Sequence, residues 1–329
     1  MRTLVTGGGG FLGGAIVRQL VAAGHTVRTV ARGEYPALTA LGVPHLRGDL
    51  TDPAVAFEAV EGVDVVFHVA AKTGVWGPRQ AFEDSNVGAT GNLLTAMQAT
   101  SVRHLVYTSS PSVVFDGRDH LDADASLPYP TAYLAHYPAT KAKAEQLVLA
   151  ANRPDLAVVA LRPHLIWGPG DPWLLPRVIA RAKAGRLRIV GTGHNRVSIT
   201  YVDNAAAAHL QAATALMHHG DNAGKAYFVN DPAPVALWRW INGLLERVGA
   251  PPVHKKVSYE FAHTLGGAAE LVWSVFGLAG EPPMTRFVAA QLARSHTYSI
   301  ADAQRDFAYS PTVGPEAGLD RTVSWFRGR

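Results

Sequence analysis

The 329-residue chain contains no cysteine, which excludes a disulfide framework, a thiol nucleophile and any zinc site built on thiolates. Such a composition suits a reducing cytoplasm, and no metal site is expected. Long apolar runs are also missing. The strongly apolar stretch 261–280, FAHTLGGAAELVWSVFGLAG, is interrupted by Glu270 and by glycines and is barely long enough to span a bilayer, so a transmembrane helix is disfavoured. The opening MRTLVTGGGG lacks the apolar core of a secretory signal, so the mature protein is expected to begin there, in the cytosol. Charge of one sign is scarce: the formal net charge is +4, with no dense Lys/Arg cluster and no aromatic-plus-basic module. That balance argues against nucleic acid as a partner and leaves a mild attraction for an anionic ligand. No internal repeat, low-complexity tract or linker long enough to be disordered interrupts the chain.

What is present is 48% hydrophobic content, enough for one large core or two fused units. Short β-branched runs at Thr3–Thr6, Thr26–Ala31, His45–Arg47, Val63–Val69, Val102–Ser109 and Ala157–Leu161 predict strands. Ala/Leu-rich stretches between them predict helices at Phe11–Ala23, Ala54–Val60, Asn86–Thr100 and Tyr137–Ala151. This alternation, with strands apolar almost throughout, indicates an α/β protein with a doubly wound parallel sheet covered on both faces. After about residue 165 the rhythm breaks into Pro/Gly-punctuated pieces. The expected division is a nucleotide-binding domain over 1–165 and a smaller, mainly substrate-binding C-terminal lobe over 166–329, with some segments returning to the first domain.

The stretch TLVTGGGGFLGGAIVRQL sets Gly7, Gly10 and Gly13 between a strand and an amphipathic helix. Glycines there permit a tight turn and let the backbone approach a pyrophosphate, while the helix start offers free N–H groups and partial positive charge. Phe11 and Leu12 lie within the same loop-to-helix junction. A dinucleotide site follows. At the end of the second strand, where an NAD site usually carries an acid for the ribose 2′-hydroxyl, the chain has Ala31 and then Arg32. Arg32 suits a 2′-phosphate, so NADP(H) is expected to be preferred over NAD(H). Asp49 and Leu50 follow the third strand at the adenine edge, and the small Ala70 and Ala71 follow the fourth, letting a cofactor lie flat. His68, inside that strand, reads as a packed core histidine.

HLVYTSSPSVVF ends the fifth strand with Ser109 and Ser110 near the sheet's carboxyl edge, where open α/β sheets keep their active sites. Further on, AHYPATKAKAEQLV carries Tyr137 and Lys141 four residues apart, about one helical turn, with Pro138 at a first-turn position. Together with the glycines, HVAA and LRPHLIWGPGD, these segments resemble the extended short-chain dehydrogenase/reductase superfamily. Within it, SSPSVVF, RPHLIWGPGDP and the C-terminal PPMTRFVAAQLARSHTYSIADAQRDFAYSP resemble the 3β-hydroxysteroid and sterol-4-carboxylate 3-dehydrogenase branch, which includes bacterial 2-alkyl-3-oxoalkanoate reductases of olefin synthesis. The resemblance covers essentially the whole chain and implies a Rossmann-type sheet and a nicotinamide cofactor.

A ketone reductase needs an acid for the carbonyl oxygen, and free tyrosine with a pKa near 10 is weak in that role. The expectation is that Tyr137 is the acid/base, that Lys141 lowers its pKa and holds the nicotinamide ribose, and that Ser110 bonds the substrate oxygen. Ser110 is chosen over Ser109 by the family's paired serines, and Ser112 is the alternative if the turn is shifted. Asn86 is read either as the family's asparagine near the active site or as an N-cap. Pro163 and Leu165 match positions that shape the nicotinamide pocket. His164 has three open readings: second acid, substrate donor or structural histidine.

The function expected is NADPH-dependent interconversion of a 3-keto and 3-hydroxy group on a bulky hydrophobic acid, most simply reduction of a 2-alkyl-3-oxoalkanoic acid. A sterol dehydrogenase and a nucleotide-sugar epimerase or dehydratase are the alternatives, although a dehydratase would carry acids where this chain has Pro111 and Ser112. Lys72 is the candidate partner for the substrate carboxylate and Trp76 its apolar wall. Residues 261–280 are expected to cover the substrate, touch a membrane surface or form ordinary core. A homodimer and association with other enzymes of a pathway are further possible partners.

Overall fold

The computed structural model describes residues 1–328. Seven parallel strands form the main sheet in the order Lys225–Val229, Ala157–Pro163, His104–Thr108, Val65–His68, Arg2–Thr6, Thr26–Ala31 and His45–Arg47. The inner strands are buried on both faces, Val65–His68 at every residue, which is why their sequences are apolar rather than alternating. The chain winds outward one way through the first three strands and then reverses. Between Arg2–Thr6 and Val65–His68 the strand order switches, and the crevice at that switch lies outside the carboxyl ends.

Helix Phe11–Ala22 covers one face together with Val202–His218, whose Ala205, Ala208 and Ala212 let it pack against Ile16 and Leu20. On the other face Pro53–Val60, Ala89–Ala99 and His136–Ala150 bury Ala59, Leu93, Met97 and Val148. Each fully buried leucine, Leu20 or Leu93, contributes about 1.5–3 kcal/mol. The expected strands and helices lie within about two residues of these bounds, with one exception. The segment expected as a helix from Asn86 begins seven residues earlier, at Arg79, and passes through a π-helical stretch Glu83–Gly88 before Ala89–Ala99. Asn86 therefore sits inside a helix and is no N-cap.

A smaller sheet of four short strands orders as Val235–Ala236, Arg196–Val197, His296–Tyr298 and His120–Ala123. Its core gathers Trp167, Leu175, Ile179, Trp238, Ile241 and Leu244. The chain crosses between the two bodies in both directions. His120–Ala123 leaves the first 165 residues for the small sheet, while Lys225–Val229 adds the last strand to the large one.

The apolar stretch forms one helix, Tyr259–Phe276, capped by the Ser258 side chain and closed by Gly277 at φ +58°. It packs on Arg286–Ala293 through Gly266, where a methyl group would lie 2.7 Å from the Thr285 carbonyl carbon. Glu270 accepts hydrogen bonds from the Arg286 backbone N–H and Nε, both at 2.7 Å. The opposite face exposes Phe261, Leu271, Val275 and Phe276. Among the described residues no helix is long and apolar enough to cross a membrane.

Candidate active site

The crevice at the strand switch is a cleft of about 530 Å³. Gly7, Gly10, Phe11, Leu12, Gly13, Arg32, Asp49, Leu50, Ala70, Ala71, Ser110, Tyr137, Lys141, Pro163 and Leu165, read above from separate motifs, all line it. The glycine loop fits a dinucleotide because it has no room for side chains. A methyl group on Gly13 would stand 2.2 Å from the Gly7 carbonyl oxygen, and Gly7 itself holds φ +67° with the Ala70 backbone close behind. Gly10 precedes helix Phe11–Ala22, so the unpaired N–H groups of its first turn open beside the loop. Arg32 is exposed at the far end and lies 3.7 Å from Asp49. Thr73, Tyr35 and Trp173 also line the cleft and carried no motif in the sequence.

At the other end Ser110 starts a short turn, Pro111–Val113. Its Oγ accepts from the Ser112 N–H at 3.2 Å and from the Ser112 hydroxyl at 3.0 Å. With its lone pairs so engaged, the Ser110 hydroxyl is free to donate, and it is hydrogen-bonded to Tyr137. Burial raises the Tyr137 pKa, and the bond from Ser110 opposes that rise. Ser112 thus stands behind Ser110 rather than in place of it.

Helix His136–Ala150 presents Tyr137 and Lys141, with Pro138 in its first turn. The helix is pinned by Glu145, fully buried, which pairs with Arg162 at 2.6 Å and accepts from Tyr129 at 2.6 Å. Lys141 is equally buried; burial lowers its pKa to about 7. Its ammonium donates to the Thr108 carbonyl at 2.6 Å and lies 4.1 Å over the Tyr107 ring. The charge of Lys141 is therefore spent on the end of the fifth strand in this arrangement, and the hydrogen bond acting on the phenol comes from Ser110. Asn86 ties the parts together, accepting from the Lys72 N–H at 2.7 Å and donating to the Lys72 carbonyl and the Thr140 hydroxyl.

A second cavity of about 440 Å³ opens beside the first, mostly apolar, with Val75, Leu175, Val178, Trp240, Ile241 and Val288 in its walls. Thr73, Ser110, Tyr137, Leu165 and Trp173 line both hollows. Of the expected substrate contacts, Ser112 and His164 line this cavity, whereas Lys72 and Trp76 need correction. Lys72 lines the cofactor cleft only, its ammonium 5.2 Å over the Phe82 ring, and Trp76 lines neither hollow. The loop after Ala71 turns Val75 inward instead. None of residues 261–280 lines the cavity, so that helix does not cover it; Glu281, the next residue, does. Arg177 and Arg181 line it as well. Their only signal in sequence is their spacing from Leu174 and Val178.

His164 lies at the inner wall, buried against His296. The Nε2 of His296 faces the Gln291 carbonyl at 2.9 Å and so donates, which leaves its Nδ1 to accept from His164 Nε2 at 2.6 Å. Burial holds both imidazoles neutral, His296 down to about 4 and His164 well below its ordinary value. This favours the structural reading of His164.

The sequence of residues 4–258 matches the model of the 3-beta hydroxysteroid dehydrogenase/isomerase family. The chain belongs to that family. It is 50% identical over 98% of its length to the 2-alkyl-3-oxoalkanoate reductase of Stenotrophomonas maltophilia, covering 98% of that protein. It is 44% identical to the Shewanella oneidensis reductase of the same name, across 96% of this chain and 84% of that one. Among solved structures, MoeE5 in complex with UDP-glucose and NAD superposes with a TM-score of 0.77 at 25% identity, covering 100% of this chain and 99% of that one. Membership makes the protein an oxidoreductase of the extended short-chain type acting between hydroxyl and keto groups, in a family that uses a nicotinamide cofactor.

Proposed function

We propose that the protein is an NADPH-dependent ketoreductase that reduces the 3-keto group of a bulky, hydrophobic 2-alkyl-3-oxoalkanoic acid. The observation that carries this reading is the meeting of the cleft beside the glycine loop and the apolar cavity at Ser110 and Tyr137. A hydrophobic chain lying in the second hollow brings its carbonyl to the phenol and the serine. The two bacterial reductases of that name support the substrate class.

The glycine loop and helix start would hold the pyrophosphate, Arg32 the 2′-phosphate, and Lys141 the nicotinamide ribose. When bound, the reduced nicotinamide supplies a hydride to the carbonyl carbon. Ser110, kept as a donor by Ser112, bonds the carbonyl oxygen and stabilises the charge that grows there. Tyr137 gives its phenolic proton to the same oxygen, so that C=O becomes CH–OH. The phenol carries its proton at neutral pH, as a donor to the carbonyl must; burial alone would make it a weaker acid, and the interaction with Ser110 works against that. An NADP-selective enzyme facing a reduced cofactor pool is likewise driven toward the alcohol.

The test is NADPH consumption by purified protein with a long-chain 2-alkyl-3-oxoacid, the ketone of the same chain lacking the carboxylate, a sterol ketone and a nucleotide sugar. The acid is expected to give the highest kcat/KM. Equal or better turnover of any other member of that panel overturns the substrate class.

A further inference from the structure

We propose that Arg181, with Arg177 beside it, forms a subsite for the substrate carboxylate, and that Glu281 occupies this subsite until substrate arrives. The inference rests on the keto-acid reading above and names the residues that enforce it.

Helix Leu174–Lys183 places Leu174, Arg177, Val178 and Arg181 at i, i+3, i+4 and i+7, on one stripe, and all four line the apolar cavity. Both guanidiniums are only partly shielded from solvent, with 49% of the Arg177 side chain exposed, so they stand at the cavity wall where an entering carboxylate can form charge-assisted hydrogen bonds with them. The cavity lining offers a single carboxylate. Glu281 pairs with Arg177. Among the described residues no carboxylate pairs with Arg181, which donates to the Pro283 carbonyl at 2.9 Å, a neutral acceptor. Burial and the neighbouring Arg177 charge disfavour its charged form. A guanidinium keeps its proton nonetheless; the nearby Glu281 charge favours it, but among the described residues no carboxylate lies within ion-pair distance of Arg181, which makes it the freer of the two cations for a substrate anion.

The pair also lies in the right place. A methyl group built on Gly74 would be 3.3 Å from a Glu281 carboxylate oxygen, and the adjacent Thr73 lines both hollows. Thr73 is one of the residues that the two hollows share with Ser110 and Tyr137, so the Glu281 carboxylate rests against the loop that borders their junction. A β-keto acid carries its carboxylate carbon two bonds from the ketone carbon, so its carboxylate must bind at that border. Substrate would exchange with Glu281, taking the two-arginine fork while the Glu281 side chain turns toward solvent. Lys72, bound over Phe82 in the other hollow, is not needed.

The experiment compares kcat/KM for the long-chain 2-alkyl-3-oxoacid with that for the matching ketone without the carboxylate, in wild type and in Arg181→Gln, Arg177→Gln, Arg181→Lys and Glu281→Gln. The acid-to-ketone ratio should fall about tenfold to a hundredfold in Arg181→Gln, the loss expected for a charge-assisted bond, and recover in part in Arg181→Lys. Glu281→Gln should lower KM for the acid by removing its competitor. If wild type favours the acid and both glutamine variants at 177 and 181 keep that ratio, this subsite is wrong while the proposed function stands. If wild type shows no preference for the acid, the substrate reading falls and the subsite with it. Should Arg181→Gln lose turnover of the plain ketone as well, Glu281→Gln decides alone: an unchanged or higher KM for the acid overturns the proposal.

Discussion

The cofactor cleft takes much of its lining from residues at or soon after the ends of parallel strands: Gly7, Gly10, Arg32, Asp49, Ala70, Ala71, Ser110 and Pro163. The apolar cavity beside it draws Val75, Val178, Trp240 and Val288 from segments scattered over more than two hundred residues. In the first region a side chain's place is set by where its strand ends, so order along the chain translates into position in space. In the second, no short-range rule says which helices meet. The proposed function divides along the same line, with redox chemistry at the strand ends and on the helix that carries Tyr137 and Lys141, and selectivity in the packed lobe.

The sharpest way to test this division is Tyr137→Phe, at the seam. Removing only the phenolic oxygen should lower kcat by about 10²–10⁴-fold for every substrate while leaving NADPH affinity within a few-fold. Retention of a tenth of the wild-type kcat would show that another group supplies the proton. A smaller effect is expected at the far end of the cleft. Arg32→Ala should narrow the preference for NADPH over NADH by about 1–3 kcal/mol, equally for all substrates. Equal Michaelis constants for the two cofactors in wild type would remove Arg32 from that role.

The smallest change concerns whether the two regions unfold as one unit. His68, beneath the cleft between the Thr6 and Thr90 hydroxyls, is pushed down to about 3 by burial, and His296, beside the cavity, to about 4. In the unfolded chain both take up a proton near pH 6.5. The unfolded state therefore binds more protons below that pH, and stability present above about pH 6.5 is lost as pH falls toward those folded values. Each histidine should add about 1.4 kcal/mol per pH unit to the slope of unfolding free energy. His68→Gln and His296→Gln should each remove one such increment from a single urea transition measured between pH 6.5 and 4.5. Separate transitions for the two variants would mean that cleft and cavity unfold independently.

The sequence by itself determined the sheet class, the family and the residues of the glycine loop, the serine pair and the tyrosine–lysine helix. Each of these is written in a contiguous stretch whose spacing obeys backbone geometry: strand, tight turn and helix start for Gly7 to Gly13, and one helical turn between Tyr137 and Lys141. The edge of the second lobe was less legible. Trp76 and Lys72 lie next to residues that do line the cavity, yet neither lines it, and Asn86 holds both backbone groups of Lys72. The exposed face of Tyr259–Phe276 reads as core or lid by hydropathy alone, and only the packing of Gly266 against Thr285 decides which side is buried. Tertiary structure alone paired Arg177 with Glu281, 104 residues apart, and left Arg181 with a carbonyl. The physical reason is that charge matching in a cavity wall depends on which segments pack together across the chain, and that information is absent from any single stretch of it.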